Sequence, residues 1–330
     1  MSATGYQDEK ALVRAHHAAL QAATATTVAQ VLAERTAPDW HWRGMYPWDE
    51  RRGAEAVAAA FWAPFLEAFT SLRRRPDMFF AGRNHLDAGG VWVVQMGHLM
   101  GLWDGPFLGV APTRKIAMLR FAEFNRVDGG RIVETAFFCD VLHLLRQGGH
   151  VALPEQTAQH LIQPGPATHD GLLYHDAAPG EGAATLRLIE TMIGDINAHQ
   201  RFATPEEELA QTWADDMIWW GPEGIGATFT IPRYIEQHQR PFRQAMDGRR
   251  RFNGHVARLA EGHFGGFFGW PNLTLTPGGR YMGLDWDGTT AADMRVVDLY
   301  RRDGDKLAEN WIFIDIPHFL KMAGVDVLPA

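Results

Sequence analysis

The chain repeats itself. Residues 120–147 and 295–322 align without a gap and share nine of 28 positions: Arg120/Arg295, Arg126/Arg301, Asp128/Asp303, Gly129/Gly304, Glu134/Glu309, Phe138/Phe313, Asp140/Asp315, His143/His318 and Leu145/Leu320. At a slightly different offset, APDWHWRG (37–44) pairs with ADDMIWWG (214–221), Pro64-Phe65 with Pro241-Phe242, and Ala68 with Ala245. A duplicated sequence implies two copies of one folding plan, so each half constrains the reading of the other. The expected domains are 8–149 and 184–325. The connection between them, 150–183, is rich in Gly, Pro and His and has no sustained periodicity. It is expected to pack across the domain junction or over a pocket mouth.

Each half reads helices first and strands afterwards. Helices are expected at about 8–34 and 53–70 in the first copy, and at 184–213 (interrupted near Pro205) and 231–246 in the second. Stretches rich in aromatic and β-branched residues follow, among them RRRPDMFFAGRN, GGVWVVQMGHLM, KIAMLRFAEFNRV and RIVETAFFCD. The DGG at 128–130 and the DGD at 303–305 read as hairpin turns joining the last two strands. Helices followed by an antiparallel meander imply an α+β domain with helices packed on one face of a curved sheet.

Composition removes several function classes. A formal net charge of -8 argues against non-specific nucleic-acid binding. Cys139 is the single cysteine, which rules out an intramolecular disulfide and a thiolate metal cage. Among 15 histidines, none has the helical His-x-x-x-His or Glu-x-x-His spacing of a metal site, so no metal is expected. No phosphate loop, G-x-S-x-G elbow or Cys/His nucleophile pattern is present. No window approaches a run of about 18 apolar residues, and the first residues carry charges where a secretory segment would be apolar. A soluble, cytoplasmic protein is expected, with neither a membrane nor a nucleic-acid partner.

The segment MGHLMGLWDGPFLGVAPTRK (96–115), followed by RFAEFNRVDGGRIVETAFFCDVLHLLRQGG (120–149), resembles SnoaL-like polyketide cyclases of the NTF2-like superfamily. The second copy keeps mainly the final hairpin and helix, with YMGLDWDGTT in place of the Pro-Thr segment. The resemblance implies two tandem cone-shaped α+β barrels, each enclosing an apolar pocket, arranged as a pseudo-dimer in place of the superfamily's common homodimer. It also implies cofactor-independent chemistry of the lyase or isomerase class, in which an acidic side chain moves protons on a carbonyl compound. Membership of such a superfamily predicts the cavity better than the reaction, so a non-catalytic small-molecule-binding or assembly protein stands as the alternative; under either reading the expected partners are an apolar or aromatic small molecule and further copies of the chain in a homo-oligomer.

Strand alternation puts Glu134, Ala136, Phe138 and Asp140 on one face, and Glu309, Trp311, Phe313 and Asp315 likewise. Desolvation by aromatic neighbours would raise either terminal aspartate toward the range useful for proton transfer. Both aspartates equally fit helix N-caps, since a short helix follows each. The candidate catalytic set is Asp140 with His98 and Arg120. The candidate substrate-binding set is Trp42, Tyr46, Trp92, Phe138, Trp219, Trp311 and Asp315. Arg120 and Arg295, as mid-strand cations, need a partner if buried; Glu134 and Glu309 on the adjacent strand are the expected ones. Aromatic density in the second copy predicts that a ligand there would meet an aromatic-walled site.

Overall fold

The computed structural model describes residues 5–87, 89–153, 157–246 and 249–329; residues 154–156 of the expected connection lie outside them. The chain divides into two compact units. One comprises the chain up to Ala152, together with Ala167–Asp176 and the stretch from Asp326; the other comprises Leu153–Pro166 and Ala177–Val325.

The first unit opens with helices α1 (Gln7–Ala22) and α2 (Val28–Arg35), then strands β1 (Thr36–Gly44) and β2 (Glu50–Arg52). A continuous helical run follows, made of α3 (Ala54–Val57), a π turn (Ala58–Trp62) and α4 (Ala63–Ala68). The meander β3 (Phe69–Arg83), β4 (Val91–Trp103), β5 (Ile116–Asp128) and β6 (Arg131–Cys139) leads into α5 (Val141–Gln147). Its sheet order is β2-β1-β6-β5-β4-β3, antiparallel except where β6 returns parallel to β1. The β5–β6 turn is Gly129-Gly130, both at positive φ, as a two-residue connection matched to strand twist requires.

Register assigns the faces. Glu123 pairs with Phe137, and Phe121 with Cys139, while Trp42 pairs with Thr135. The aromatic members of this face stack with the helical run: Phe61 lies 5.0 Å from Phe137 and 6.1 Å from Trp42 between ring centroids, and Trp62 lies 6.2 Å from Phe137. Phe61 also stacks on Phe65 at 5.3 Å. The interior of this unit, between helices and sheet, is thus packed with rings.

The second unit repeats the plan. Helices α6 (Pro179–Asn197) and α7 (Pro205–Ala210) precede strands β7 (Trp213–Trp220) and β8 (Ala227–Phe229). Helix α8 (Ile231–Tyr234), a π turn (Ile235–Gln239) and α9 (Arg240–Met246) form the second helical run. Strands β9 (Arg250–Phe252), β10 (Ala257–Glu261) and β11 (Phe264–Leu275), a separate hairpin of β12 (Gly278–Tyr281) and β13 (Leu284–Asp287), then β14 (Ala292–Asp303), β15 (Lys306–Ile314) and α10 (Ile316–Met322) complete it. The order β8-β7-β15-β14-β11-β10 matches that of the first sheet, with β9 also on β11. The two π turns occupy positions that the repeat pairs, and both final hairpins shift register at paired places, Arg126/Val127 and Arg301/Arg302.

The connection divides between the units. Leu172 bridges Phe79 on the β3 edge of the first, and Gln159 bridges Ala227 of β8 in the second. Among the described residues, no helix is long and apolar enough to cross a membrane.

Since the first interior is ring-packed, truncating one ring leaves a void. Phe137→Ala is expected to cost about 3–5 kcal/mol, measured as a lowered urea midpoint for the transition of that unit.

Candidate functional site

The same strand position is used in opposite ways by the two units. In the first it is Glu123, whose Oε2 lies 2.7 Å from Arg74 Nη1 and 3.0 Å from His17 Nε2. Arg74 also donates to Gln95 Oε1 at 2.9 Å, and its guanidinium sits 4.6 Å above the Phe121 ring. Burial alone would raise the Glu123 carboxyl, but Arg74, and then His17, outweigh it and hold it well below the ordinary carboxylate range. This carboxylate is thus held ionised by the cation it is paired with.

In the second unit the position is Asp298. Its face of the sheet, with Ile312 and Phe267 as register partners, opens into a cavity of about 410 Å³. Asn310 Nδ2 donates to Asp298 Oδ1 at 3.1 Å, and the Tyr300 hydroxyl is also hydrogen-bonded to the carboxyl. Among the described residues, no cation acts on it to favour the charged form. Burial therefore dominates over the two hydrogen bonds and pushes Asp298 up to about 7.

The walls explain why there is space here. At positions paired by the repeat, Phe61 and Trp62 of the first unit correspond to His238 and Gln239, while Phe121 and Phe137 correspond to Val296 and Ile312. Each of these four exchanges removes volume, and all four second-unit residues line the cavity. Trp219 stays, stacked on His238 at 4.0 Å and 20°. Tyr234 and Phe242 of the helical run and Tyr281 of the β12–β13 hairpin complete an aromatic rim. Burial raises the phenols of Tyr234 and Tyr281 above their ordinary range and lowers His238 to about 3. Arg243, at one wall, is held in a two-pronged contact by Glu208, at 2.7 and 2.8 Å. Gln239 Oε1 and Asn272 Oδ1, both on cavity residues, have no hydrogen-bond partner among the described residues. Among the described residues, none of the connection lines the cavity.

The residues singled out in the sequence fall into three groups. Asp140, Arg120 and His98 come together, on the sheet face opposite Trp42 and Glu123. His98 and Arg120 are register partners, and the charges acting on buried Arg120 are those of Asp140 and Asp77. Burial lowers Arg120 to about 9, with both acids opposing. His98 Nδ1 lies 3.2 Å from Asp77 Oδ2, and Asp140 Oδ1 caps α5 by accepting from His143 N at 3.1 Å. Trp92, opposite Arg126, and Phe138, opposite Ala122, are buried on this same face. Trp42 belongs to the ring-packed interior, and Tyr46 is half-buried in the turn after β1.

Of the second-unit candidates, only Trp219 lines the cavity. Asp315 is fully buried, caps α10 through His318 N at 3.3 Å and binds Arg295 Nη1 at 3.2 Å. Trp311 is on the same rear face, its Nε1 donating to Pro164 O at 2.9 Å. The expected Arg120–Glu134 and Arg295–Glu309 pairs are replaced by others. Register sets Arg126 opposite Glu134 and Arg301 opposite Glu309, and those pairs form, at 3.3 and 2.5 Å. Among the described residues, no cluster of three or more His, Cys, Asp or Glu could hold a metal ion.

Residues 12–148 match the family model described as SnoaL-like polyketide cyclase. No curated protein matches. Among solved structures, the chain is similar to a proposed SnoaL-like polyketide cyclase from Jannaschia sp. CCS1, at 23% identity over 44% of this chain and 93% of the other, with a TM-score of 0.33. It is also similar to AclR, a proposed hydroxylase from Streptomyces galilaeus (21% identity, 45% and 85% coverage, TM-score 0.36). A third is IdmH, a proposed polyketide cyclase from Streptomyces antibioticus (22% identity, 41% and 96% coverage, TM-score 0.33).

Asp298 is expected to titrate near 7 when followed by carboxyl-carbon NMR. Between about pH 4, where an unfolded aspartate ionises, and about 7, the folded state keeps a proton that the unfolded chain has lost. Stability from this group is therefore full below that window and falls as pH rises through it. Asp298→Asn is expected to flatten the slope, read from urea midpoints across the window.

Proposed function

We propose that the chain is a cofactor-independent acid/base enzyme of the polyketide-cyclase-like type, lyase or isomerase in class, and that its chemistry takes place in the second unit. That unit is read as a divergent copy of the SnoaL-like segment. The substrate is a small or medium-sized, flat carbonyl compound, because the walls are aromatic and the group at their centre is a proton carrier. Asp298 removes a proton from the carbon next to the carbonyl and returns one to the product. The single observation that supports this is a cation-free carboxyl group, poised near neutrality, inside a ligand-sized cavity. Asp140, His98 and Arg120, the set favoured by the family resemblance, are assigned here to a buried polar network, because Asp140 is used as a cap and as a counter-charge to Arg120.

A second reading, a small-molecule receptor without turnover, draws on the unpartnered Gln239 and Asn272 oxygens. A bound polar group would complete them whether or not chemistry follows.

The two readings separate with 2-tetralone in deuterated buffer, following loss of its α-proton signal by NMR. An enzyme accelerates exchange, and the rate rises with pH through about 7 as the carboxylate forms. Asp298→Asn is expected to lower the rate by about 10²–10⁴-fold while retaining affinity. Binding without accelerated exchange supports the receptor. An Asp298→Asn protein that exchanges as fast as wild type removes Asp298 from the chemistry.

A further inference from the structure

We propose that His255 is locked as a neutral imidazole with its proton on Nε2, and that it donates this N–H to the carbonyl oxygen of the compound on which Asp298 acts. The proposal rests on the proton-transfer reading above and adds to it a residue and an atom.

The tautomer follows from a neighbour that can only donate. Arg258 Nη2 lies 3.0 Å from His255 Nδ1, and a guanidinium has no acceptor. Nδ1 must therefore offer its lone pair, and in the neutral ring the proton resides on Nε2. Arg258 is itself fixed, its Nη1 donating to Glu190 Oε1 of α6 at 3.1 Å. The charged form of the ring is disfavoured twice over. Burial first, and the Arg258 charge second, lower its pKa to about 3.

The ring is also held in orientation. It stacks on Phe267 with centroids 3.8 Å apart and planes 15° from parallel, and Phe252 meets it edge-on at 5.3 Å. Phe267 is the register partner of Asp298 on the adjacent strand. Imidazole and carboxyl therefore belong to one wall of one cavity. No described residue accepts a hydrogen bond from Nε2, which leaves that N–H for a ligand. His238 makes the contrast: it is equally neutral and equally stacked, but its Nδ1 has no partner among the described residues and no arginine sets its tautomer.

The chemistry balances. The Asp298 carboxylate takes the α-proton, and the C–H electron pair becomes the carbon–carbon double bond. The carbonyl π pair moves onto oxygen, whose new charge is met by the His255 N–H. Return of a proton from Asp298 reverses these shifts. A neutral imidazole suits this role because it donates a hydrogen bond without surrendering its proton, and in a site of low polarity such a preorganised donor is worth far more than in water.

A long-range proton–nitrogen NMR correlation of the wild-type protein is expected to show His255 protonated at Nε2 and bare at Nδ1. A proton on Nδ1 overturns the proposal without reference to any activity. In 2-tetralone exchange, His255→Phe keeps a ring to stack on Phe267 but has no donor. Its kcat is expected to fall by about 10²–10³-fold with little change in KM, and His255→Gln, which restores an N–H, is expected to recover part of it. Undiminished kcat in His255→Phe, beside an inactive Asp298→Asn, removes His255 and leaves the proton-transfer reading standing. Should wild type show no exchange that depends on Asp298, that reading fails first; unchanged 2-tetralone affinity in His255→Phe would then dismiss the hydrogen bond as well. If His255→Phe does not fold, the wild-type tautomer decides.

Discussion

Which side chains can meet in either unit is decided by the register of its last hairpin. Glu123 opposite Phe137, and Asp298 opposite Ile312, follow from the two-residue turns together with the register shifts at Arg126/Val127 and Arg301/Arg302. A slip of one residue would exchange the faces entirely. Arg295 and Asp315 would then enter the cavity, and Asp298 would be turned out of it. The parallel return of the last strand beside the first adds Trp42 to one interior and Trp219 to the other.

On that shared frame, one electrostatic difference separates the units. A carboxylate loses its hydration on entering a low-polarity interior, and only a nearby cation or several donors can compensate it. Glu123 has Arg74; Asp298 has two neutral donors. The first outcome is a fixed ion pair under a layer of rings, the second a group that can hold or release a proton near neutral pH. Volume follows the same division. Where the first unit keeps Phe61, Trp62, Phe121 and Phe137, the second has smaller or more polar residues, and the difference is open space.

Much of this was legible beforehand. The internal repeat, the order of helices before strands and the glycine-containing turns all follow from local chemistry, and alternation along β6 and β15 correctly grouped the residues of each face. Pattern could not say which face looks into the cavity, because these strands are apolar on both sides and neither side is marked by polarity. Trp311 and Asp315, expected at a pocket, lie on the opposite face of their strand from the cavity. Asp298 was hidden by a different cause. Beside Glu123 it reads as a conservative exchange, and what gives it a separate chemistry is the absence of a partner supplied to Glu123 by a distant strand. The signal that could have found it lies in the mismatched positions of the repeat, such as Phe61 against His238, rather than in the identities.

The π turns have a consequence of their own. Such a turn is the trace of one residue inserted into a helix that still holds its place, and it advances everything on one side of it by about 100° relative to the other. Both helical runs carry it at positions that the sequence repeat pairs. The helix upstream is thereby rephased in the same way in both units, and Tyr234 of the second takes the inward direction that Val57 takes in the first. The second unit thus presents a phenol to its cavity on a backbone of the same form, at a position turned inward in both.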